Sequence, residues 1–303
     1  MPSAPPSGQT AAARRVRAEH LGATLPPLLI AAERVAATVA QGVHGRRRVG
    51  PGETFWQYRA YHPGDTPNSI DWRQSAKSDR VFIREREWEA AQTVSLWCDH
   101  SPSMHYASDK NLPEKFDRAA LLTLATASLL VRGAEYISLL GSAAKPSTGR
   151  AALLRMTSEL DAGNTDEQSG LPPQADLPRY ADLLWVSDFL NPLADIEARA
   201  QTLAAAGVRA TLVQILDPAE ADLPFKGHVH FEGLEGEAEL NVGKANSLRQ
   251  PYAQRLQERQ AALIELTGRL GWSFQVHHTN APPQTALMRL YQTLAWRTSA
   301  SNR

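Results

Sequence analysis

A short segment with the pattern D-x-S-x-S carries the oxygen atoms in this chain that are best placed to do chemistry. Asp99, Ser101 and Ser103 directly follow the apolar run 94–98, which predicts a buried strand. In an open α/β sheet, ligands bind beyond the carboxyl ends of the strands. Carboxylate and hydroxyl oxygens suit a hard cation such as Mg²⁺, which keeps several of its waters. The segment therefore predicts a divalent-metal site at the exit of this strand.

Two other segments offer further oxygens to the same site. Asp188 follows Ser187 at the end of a second strongly apolar run, 183–186, and Thr165 lies in the polar loop 163–165 between the two runs. Carboxyl ends of parallel strands meet at one edge of a sheet, so these groups are expected to lie together. With the first segment they supply the oxygens expected around one octahedral cation.

The elements that must position these residues follow a regular alternation from residue 94 onward. Apolar runs typical of strands lie near 94–98, 136–140, 183–186, 211–216 and 272–276. Helical periodicity lies near 116–132, 151–160, 194–205, 248–270 and 285–296. A hairpin is predicted from 228–231 and 237–240. The alternation predicts an α/β fold with a doubly wound, mostly parallel sheet covered on both faces.

The first third of the chain has a different pattern. A helix is predicted from about residue 28 until Gly42, and the aromatic and β-branched runs 54–61 and 81–88 predict a pair of strands. We therefore divide the chain into an N-terminal helical segment (1–45), a β-rich module (46–91) and an α/β domain (92–303). The module holds residues that either contact a partner or are structural: Arg59, Tyr61, Asp65, Asp71 and Trp72.

Composition excludes several classes of protein. The chain of 303 residues has 32 Lys and Arg against 32 Asp and Glu, so no overall field attracts nucleic acid. No apolar run reaches the roughly 18 residues of a membrane span, and no signal peptide is recognised. Cys98 is the only cysteine, so an intramolecular disulfide is excluded and a cytoplasmic location is expected.

The set of oxygen-bearing residues resembles the metal-ion-dependent adhesion site of von Willebrand factor A domains. The resemblance implies that Ser101, Ser103 and Thr165 bind the ion directly, while Asp99 and Asp188 balance its charge, partly through water. Two other threonines are alternatives to Thr165: Thr148 and Thr157. The implied ion is Mg²⁺ or another divalent cation such as Mn²⁺ or Ca²⁺.

A wider resemblance, over roughly residues 40–297, is to the MoxR-associated bacterial family catalogued as domain of unknown function 58. The motifs that carry it are Arg59-Ala60-Tyr61, Pro63-Gly64-Asp65, Ile70-Asp71-Trp72, the metal segment, Asp217-Pro218-Ala219-Glu220, Leu223-Pro224-Phe225 and His278-Thr279-Asn280. It implies a non-enzymatic, adaptor- or chaperone-like protein whose partner is a MoxR-type AAA+ ATPase. The partner's Asp or Glu would complete the coordination of the metal.

Competing interpretations assign enzymatic chemistry to the same region. Asp99 could be the nucleophile of a Mg²⁺-dependent phosphotransferase, but the expected second acid is replaced by Ser101. Cys98 inside a strand is expected to be a core residue rather than a nucleophile. The histidine pairs 228/230 and 277/278 are expected to be structural rather than zinc ligands, because no cysteine cluster accompanies them. The sequence has no common nucleotide-binding or hydrolase motif.

Overall fold

The computed structural model describes residues 27–43, 55–61, 70, 72–77, 80–86, 93–162, 170–231, 240–243 and 245–301. The strands in these ranges are β1 (Phe55–Ala60), β2 (Phe82–Arg86), β3 (Thr93–Cys98), β4 (Tyr136–Leu139), β5 (Asp182–Ser187), β6 (Arg209–Leu216), β7 (Val229–Phe231), β8 (Leu240–Val242) and β9 (Ser273–His278). The helices are α1 (Pro27–Val43), α2 (Trp72–Ser75), α3 (Lys115–Arg132), α4 (Arg150–Ala162), α5 (Leu193–Ala205), α6 (Pro218–Asp222), α7 (Arg249–Arg269) and α8 (Pro283–Ser301).

The central sheet of the described chain has five strands in the order β4-β3-β5-β6-β9, and every neighbouring pair is parallel. In the register of β3 with β5, Cys98 is opposite Val186. The two strands therefore end at nearly the same level of the sheet. Asp99 follows the last residue of β3, and Asp188 follows the last residue of β5. The predicted parallel α/β sheet is confirmed, with each of its strands within two residues of its predicted ends.

The two faces of the sheet bury different sets of residues, as the alternation of side chains along a strand requires. Leu96 and Val186 belong to one core with residues of α1, α3, α4 and α8. Trp97 and Trp185 belong to a second core with residues of α5 and α7. Helices thus cover both faces, and strands buried on both sides read as continuous apolar runs.

The sheet has a topological switch point between β3 and β5. From β3 the chain crosses to β4 on one side, and after α4 it returns to β5 on the other side of β3. The loops after β3 and β5 separate there in opposite directions, and crevices of this type bind ligands in open α/β sheets. Both candidate acids lie at this point.

The described strands outside the central sheet form two small antiparallel pairs. β1 and β2 pair antiparallel, which confirms the predicted strand pair of the β-rich module. β7 and β8 pair antiparallel, but the second strand starts at Leu240, and residues 237–239 lie outside the described ranges. None of the helices in those ranges is long and apolar enough to cross a membrane.

Two helix ends differ from the sequence prediction. α1 continues through Gly42 to Val43. A glycine inside a helix costs only about 1 kcal/mol relative to alanine, so Gly42 does not by itself end the helix. α8 extends to Ser301, five residues beyond its predicted end. Neither glycine nor proline occurs in residues 297–301 to stop it.

Candidate metal centre

The loop after β3 is folded by its own polar side chains. The backbone N–H of Asp99 donates to the Val186 carbonyl at 2.9 Å and continues the strand ladder. Its Oδ1 then accepts the backbone N–H of Ser101 at 2.8 Å, a turn that Asp favours. Pro102 starts a short 3₁₀ turn, Pro102–Met104, that buries Ser103. This turn keeps Ser101 and Ser103 close to the carboxyl end of β3.

Asp188 joins this loop to the end of β5. Its Oδ2 accepts a hydrogen bond from Ser103 Oγ at 2.6 Å, and the hydroxyls of Ser101 and Ser103 are 3.2 Å apart. Its Oδ1 accepts the backbone N–H of Leu190 at 3.1 Å. The structure therefore brings together four of the five residues predicted as metal ligands.

Asp99 is a fully buried acid whose nearest partners are neutral. Its Oδ2 accepts a hydrogen bond from Ser187 Oγ at 2.6 Å. Burial first, and the nearby Asp188 carboxylate second, raise the pKa of Asp99 to about 6, although hydrogen bonds from Ser187 and Ser101 act in the opposite direction. Among the described residues, no lysine or arginine contacts the Asp99 carboxylate. The site therefore has a negative charge that lacks a cation.

A lysine absent from the sequence prediction lies at the centre of the cluster. Lys115, the first residue of α3, is completely buried and donates to Asp188 Oδ2 at 2.9 Å and to Glu220 Oε1 at 2.5 Å. Burial lowers the pKa of the ammonium, but the carboxylates of Asp188 and Glu220 outweigh that effect, so the pKa of Lys115 is above its ordinary value. Lys115 is therefore a charged group paired with two acids.

The segment after β6 contributes Glu220, the second acid that Lys115 contacts. Asp217 caps α6: its Oδ1 accepts the backbone N–H of Ala219 at 2.8 Å, and Glu220 Oε2 accepts the backbone N–H of Asp217 at 2.9 Å. Burial raises the pKa of Glu220, although Lys115 acts in the opposite direction. Asp217 Oδ2 also accepts the backbone N–H of Ser108 at 3.0 Å. One carboxylate thus ties together the loops after β3 and β6.

Replacement of this capping acid is expected to weaken the fold moderately. In Asp217→Ala, the backbone N–H groups of Ala219 and Ser108 lose their acceptor, so the free energy of unfolding should fall by about 2 kcal/mol. Urea denaturation measures the change. The matched control is Asp222→Ala, because Asp222 is exposed at the other end of the same helix. A loss in Asp217→Ala no larger than in the control would contradict the capping role.

The residue after Asp188 has an unusual backbone. Phe189 has a φ of 55°, in the left-handed region that large side chains rarely adopt. Its buried ring packs against Trp185 and Phe274, with centroid distances of 5.4 and 6.3 Å. Its carbonyl accepts a hydrogen bond from Arg259 Nε at 2.6 Å. These contacts hold the strained turn that places the Asp188 carboxylate.

None of the other predicted site residues is seen to contact this cluster in the described part of the chain. Thr165, Asp65 and Asp71 lie outside the described residues. Arg59 is on β1, Tyr61 is half-buried, and Trp72 is 68% exposed. Of the alternatives to Thr165, Thr157 is buried in α4, where its hydroxyl donates to the Leu153 carbonyl.

Cys98 and His277 are both buried. Cys98 is buried in the first core, as predicted. His277 is buried beside the Arg118 guanidinium, with 3.2 Å between Nε2 and the nearest guanidinium nitrogen. Burial and Arg118 lower the pKa of His277 to about 4. Its contacts therefore agree with a structural role.

The sequence prediction did not assign Lys115, Asp217 or Glu220 to the site, and the local signals for such a role are weak. The pattern D-x-x-E at 217–220 is that of a capping box, and it marks Asp217 and Glu220 as the start of a helix rather than as site residues. A lysine at the first position of a helix opposes the helix dipole, which is a reason to look for acids near Lys115. Nothing in the local sequence identifies those acids.

The donor set is compatible with a divalent cation only if hydroxyls are included. No group of three or more His, Cys, Asp and Glu side chains that could hold a metal occurs in the described part of the chain. Neighbouring ligands of an octahedral Mg²⁺ are about 2.9 Å apart, given its bond lengths. The separations of 3.2 Å for Ser101–Ser103 and 2.6 Å for Ser103–Asp188 bracket that value. The residues present therefore fit a hard cation.

Fold and site together define an α/β protein with a buried cluster of acids, serines and one lysine at the switch point of its parallel sheet. The chain belongs to the family described as "Protein of unknown function DUF58", whose sequence profile matches residues 57–262. The predicted membership of this family is thereby confirmed.

Individual relatives show how far the similarity extends. The uncharacterised proteins Mb1516 of Mycobacterium bovis and Rv1480 of Mycobacterium tuberculosis are each 25% identical over 254 residues, which is 77% of this chain and 77% of the relative. The crystal structure of conserved hypothetical protein BatB from Bacteroides thetaiotaomicron aligns with a TM-score of 0.38 and 13% identity over 68% of this chain and 99% of that chain.

Proposed function

We propose that this protein is a non-enzymatic binding protein that uses a divalent cation to recognise an acidic side chain of a partner protein. The cation is Mg²⁺, or Mn²⁺ or Ca²⁺ in its place. Ser101 and Ser103 bind it through their hydroxyls, and Asp99 and Asp188 balance its charge. The site is thus of the type found in von Willebrand factor A domains.

The observation that carries the proposal is the unequal pairing of two buried acids. Asp99 and Asp188 are buried at the same switch point, yet only Asp188 contacts a cation, Lys115. An ionised acid buried without a cation is costly. A divalent ion beside the two serines would supply the missing positive charge, in a place where its ligands already have suitable spacing.

The chemistry of these ligands favours recruitment of a further acid. Neutral hydroxyls donate little charge to a metal ion, so the ion stays electrophilic and keeps exchangeable waters. A carboxylate from another protein can replace one of those waters and form a bond that needs both metal and acid. Binding of the partner would then depend on the metal.

The surroundings of Asp99 support binding more than phosphotransfer. A nucleophilic carboxylate needs one oxygen directed at the substrate. Both oxygens of Asp99 accept hydrogen bonds, from the backbone of Ser101 and from the hydroxyl of Ser187, and the side chain is fully buried. We therefore expect no phosphatase turnover with p-nitrophenyl phosphate and Mg²⁺. Turnover that disappears in Asp99→Asn would favour the enzymatic alternative.

Metal binding itself is the first test. Mn²⁺ titration followed by electron paramagnetic resonance should show one site in the wild type and at least tenfold weaker binding in Ser103→Ala, because that variant loses one metal-binding hydroxyl. The control is Ser158→Ala, since Ser158 is an exposed helical serine whose hydroxyl donates to the Leu154 carbonyl. Equal Mn²⁺ affinity in all three proteins would exclude the serine site.

The identity of the partner needs a separate experiment. Because the resemblance of the sequence motifs extends to MoxR-associated proteins, we propose a MoxR-type AAA+ ATPase. Affinity capture from the source organism uses wild type and Asp99→Ala as bait, each with Mg²⁺ and with EDTA. An AAA+ ATPase retained only by wild type with Mg²⁺ is the expected result. Capture of identical proteins in all four samples would show that the partner does not bind through the metal centre.

A further inference from the structure

The Lys115 ammonium lies directly beside the residues proposed to hold the metal ion. It donates to Asp188 Oδ2 at 2.9 Å, and Ser103 Oγ donates to the same oxygen at 2.6 Å. A cation bound by the Ser103 hydroxyl would therefore lie close to a permanent positive charge. Lys115 also donates to Glu220 Oε1 at 2.5 Å and has no exposed surface, so its ammonium has no route into solvent in this arrangement.

Lys115 also compensates acids that would otherwise need an ion. Asp188 is fully buried and Glu220 mostly so, and buried acids are strongly destabilising unless they are paired and hydrogen-bonded. Without Lys115, the acids of this centre would be buried next to one another with no contacting cation in the described part of the chain to offset their charge. Lys115 pairs with Asp188 and Glu220, whereas no lysine or arginine among the described residues contacts the Asp99 carboxylate.

We propose that Lys115 is the resident cation of this centre: it keeps the site formed without a divalent ion, and it lowers the affinity of the site for that ion. This inference rests on the proposed function, because it describes how the same metal centre is regulated. The consequence is reversible occupancy. The ion binds weakly to the free protein and is held more firmly when a ligand carboxylate adds the negative charge that offsets Lys115.

Removal of the ammonium should therefore tighten metal binding. Repulsion between an ammonium and a divalent ion a few ångströms away is large even at the high effective dielectric of a protein, so the loss of Lys115 should increase Mn²⁺ affinity by roughly tenfold or more. A residue that only packs, or only holds Asp188 in position, would give the opposite result, because its loss would leave the ligands less well placed.

The experiment compares the full-length wild type with three variants, all purified with EDTA and dialysed. Lys115→Met removes the ammonium and keeps most of the side-chain volume. The double variant Lys115→Met with Glu220→Gln also removes one of the acids left unpaired, and so protects the fold. Lys110→Met is the matched control, because Lys110 is exposed in the segment that leads to α3. Mn²⁺ affinity is measured by electron paramagnetic resonance, and Tm is measured with and without Mn²⁺.

The inference expects the wild type to unfold cooperatively in EDTA, and both Lys115 variants to bind Mn²⁺ more tightly and gain more Tm from it. Refolding of Lys115→Met by Mn²⁺ would also support it. Mn²⁺ affinity in both variants equal to or below that of the wild type would overturn it and leave the metal site standing. Absence of Mn²⁺ binding in every protein would overturn the proposed function as well.

Discussion

Asp99→Asn is expected to raise the free energy of unfolding by about 3 kcal/mol at pH 7 in metal-free buffer, even though it removes a charged group from the centre of the site. The reason is that the Asp99 carboxylate is ionised at pH 7 in a fully buried place beside the like charge of Asp188. An amide has nearly the same shape. Its oxygen can accept from the backbone of Ser101, and its NH₂ can donate to the hydroxyl of Ser187.

The pH dependence provides the signature of this effect. The pKa of Asp99 is about 6 in the folded protein, against an ordinary value of 3.8. The folded state therefore binds more protons than the unfolded state between these two values, so the wild type should lose stability as the pH rises from about 4 to 6. Urea denaturation across this range should show a difference between Asp99→Asn and wild type that is small near pH 4 and reaches its maximum by pH 7.

The same substitution should abolish the metal response. Mg²⁺ should stabilise the wild type and leave Asp99→Asn unchanged, because the variant no longer has the acid that the ion would neutralise. Asp176→Asn is the control, since Asp176 is exposed. A difference between Asp99→Asn and wild type that does not change with pH would show that the pKa of Asp99 is not raised.

Asp188→Ala should have the opposite effect on stability and lower the free energy of unfolding by about 3–5 kcal/mol. Lys115 would retain Glu220 as its only acidic partner while its ammonium stayed buried. The hydroxyl of Ser103 and the backbone N–H of Leu190 would lose their acceptors as well. Chemical denaturation in EDTA measures the change without any contribution from metal.

A double-mutant cycle attributes this loss to the ion pair. If the Lys115–Asp188 contact is responsible, Asp188→Ala should cost much less in a Lys115→Met background, because no buried ammonium is then left unpaired. Asp176→Ala should change the free energy of unfolding by less than about 0.5 kcal/mol, as expected for an exposed residue. Equal cost of Asp188→Ala in both backgrounds would contradict the pairing.

The opposite signs expected for Asp99 and Asp188 show what the sequence could predict and what it could not. Their shared location followed from two buried strands that each end in an acid, because parallel strands bring their carboxyl ends to one edge. Their different charge environments depend on Lys115, which lies 73 residues from Asp188 along the chain. Periodicity does not predict a contact of that kind, since it depends on how α3 packs on the sheet.

The fold itself was more accessible to sequence reasoning than the site. Alternating apolar runs and helical periods determine a parallel α/β sheet, and the continuous apolar character of β3, β5 and β6 reflects burial on both faces. Side-chain exposure in the β-rich module was harder to predict. Trp72 was predicted either to contact a partner or to be structural, and it lies on the surface at the start of a four-residue helix.

The strained turn at Phe189 has a consequence for ligand binding. A turn held by two aromatic rings and by the guanidinium of Arg259 has little freedom to lose when a ligand arrives. The entropic cost of ordering this loop is therefore incurred when the protein folds and not when a ligand binds. For the proposed function, this means that one metal ion and one partner carboxylate would be enough for an association that is specific and quickly reversed.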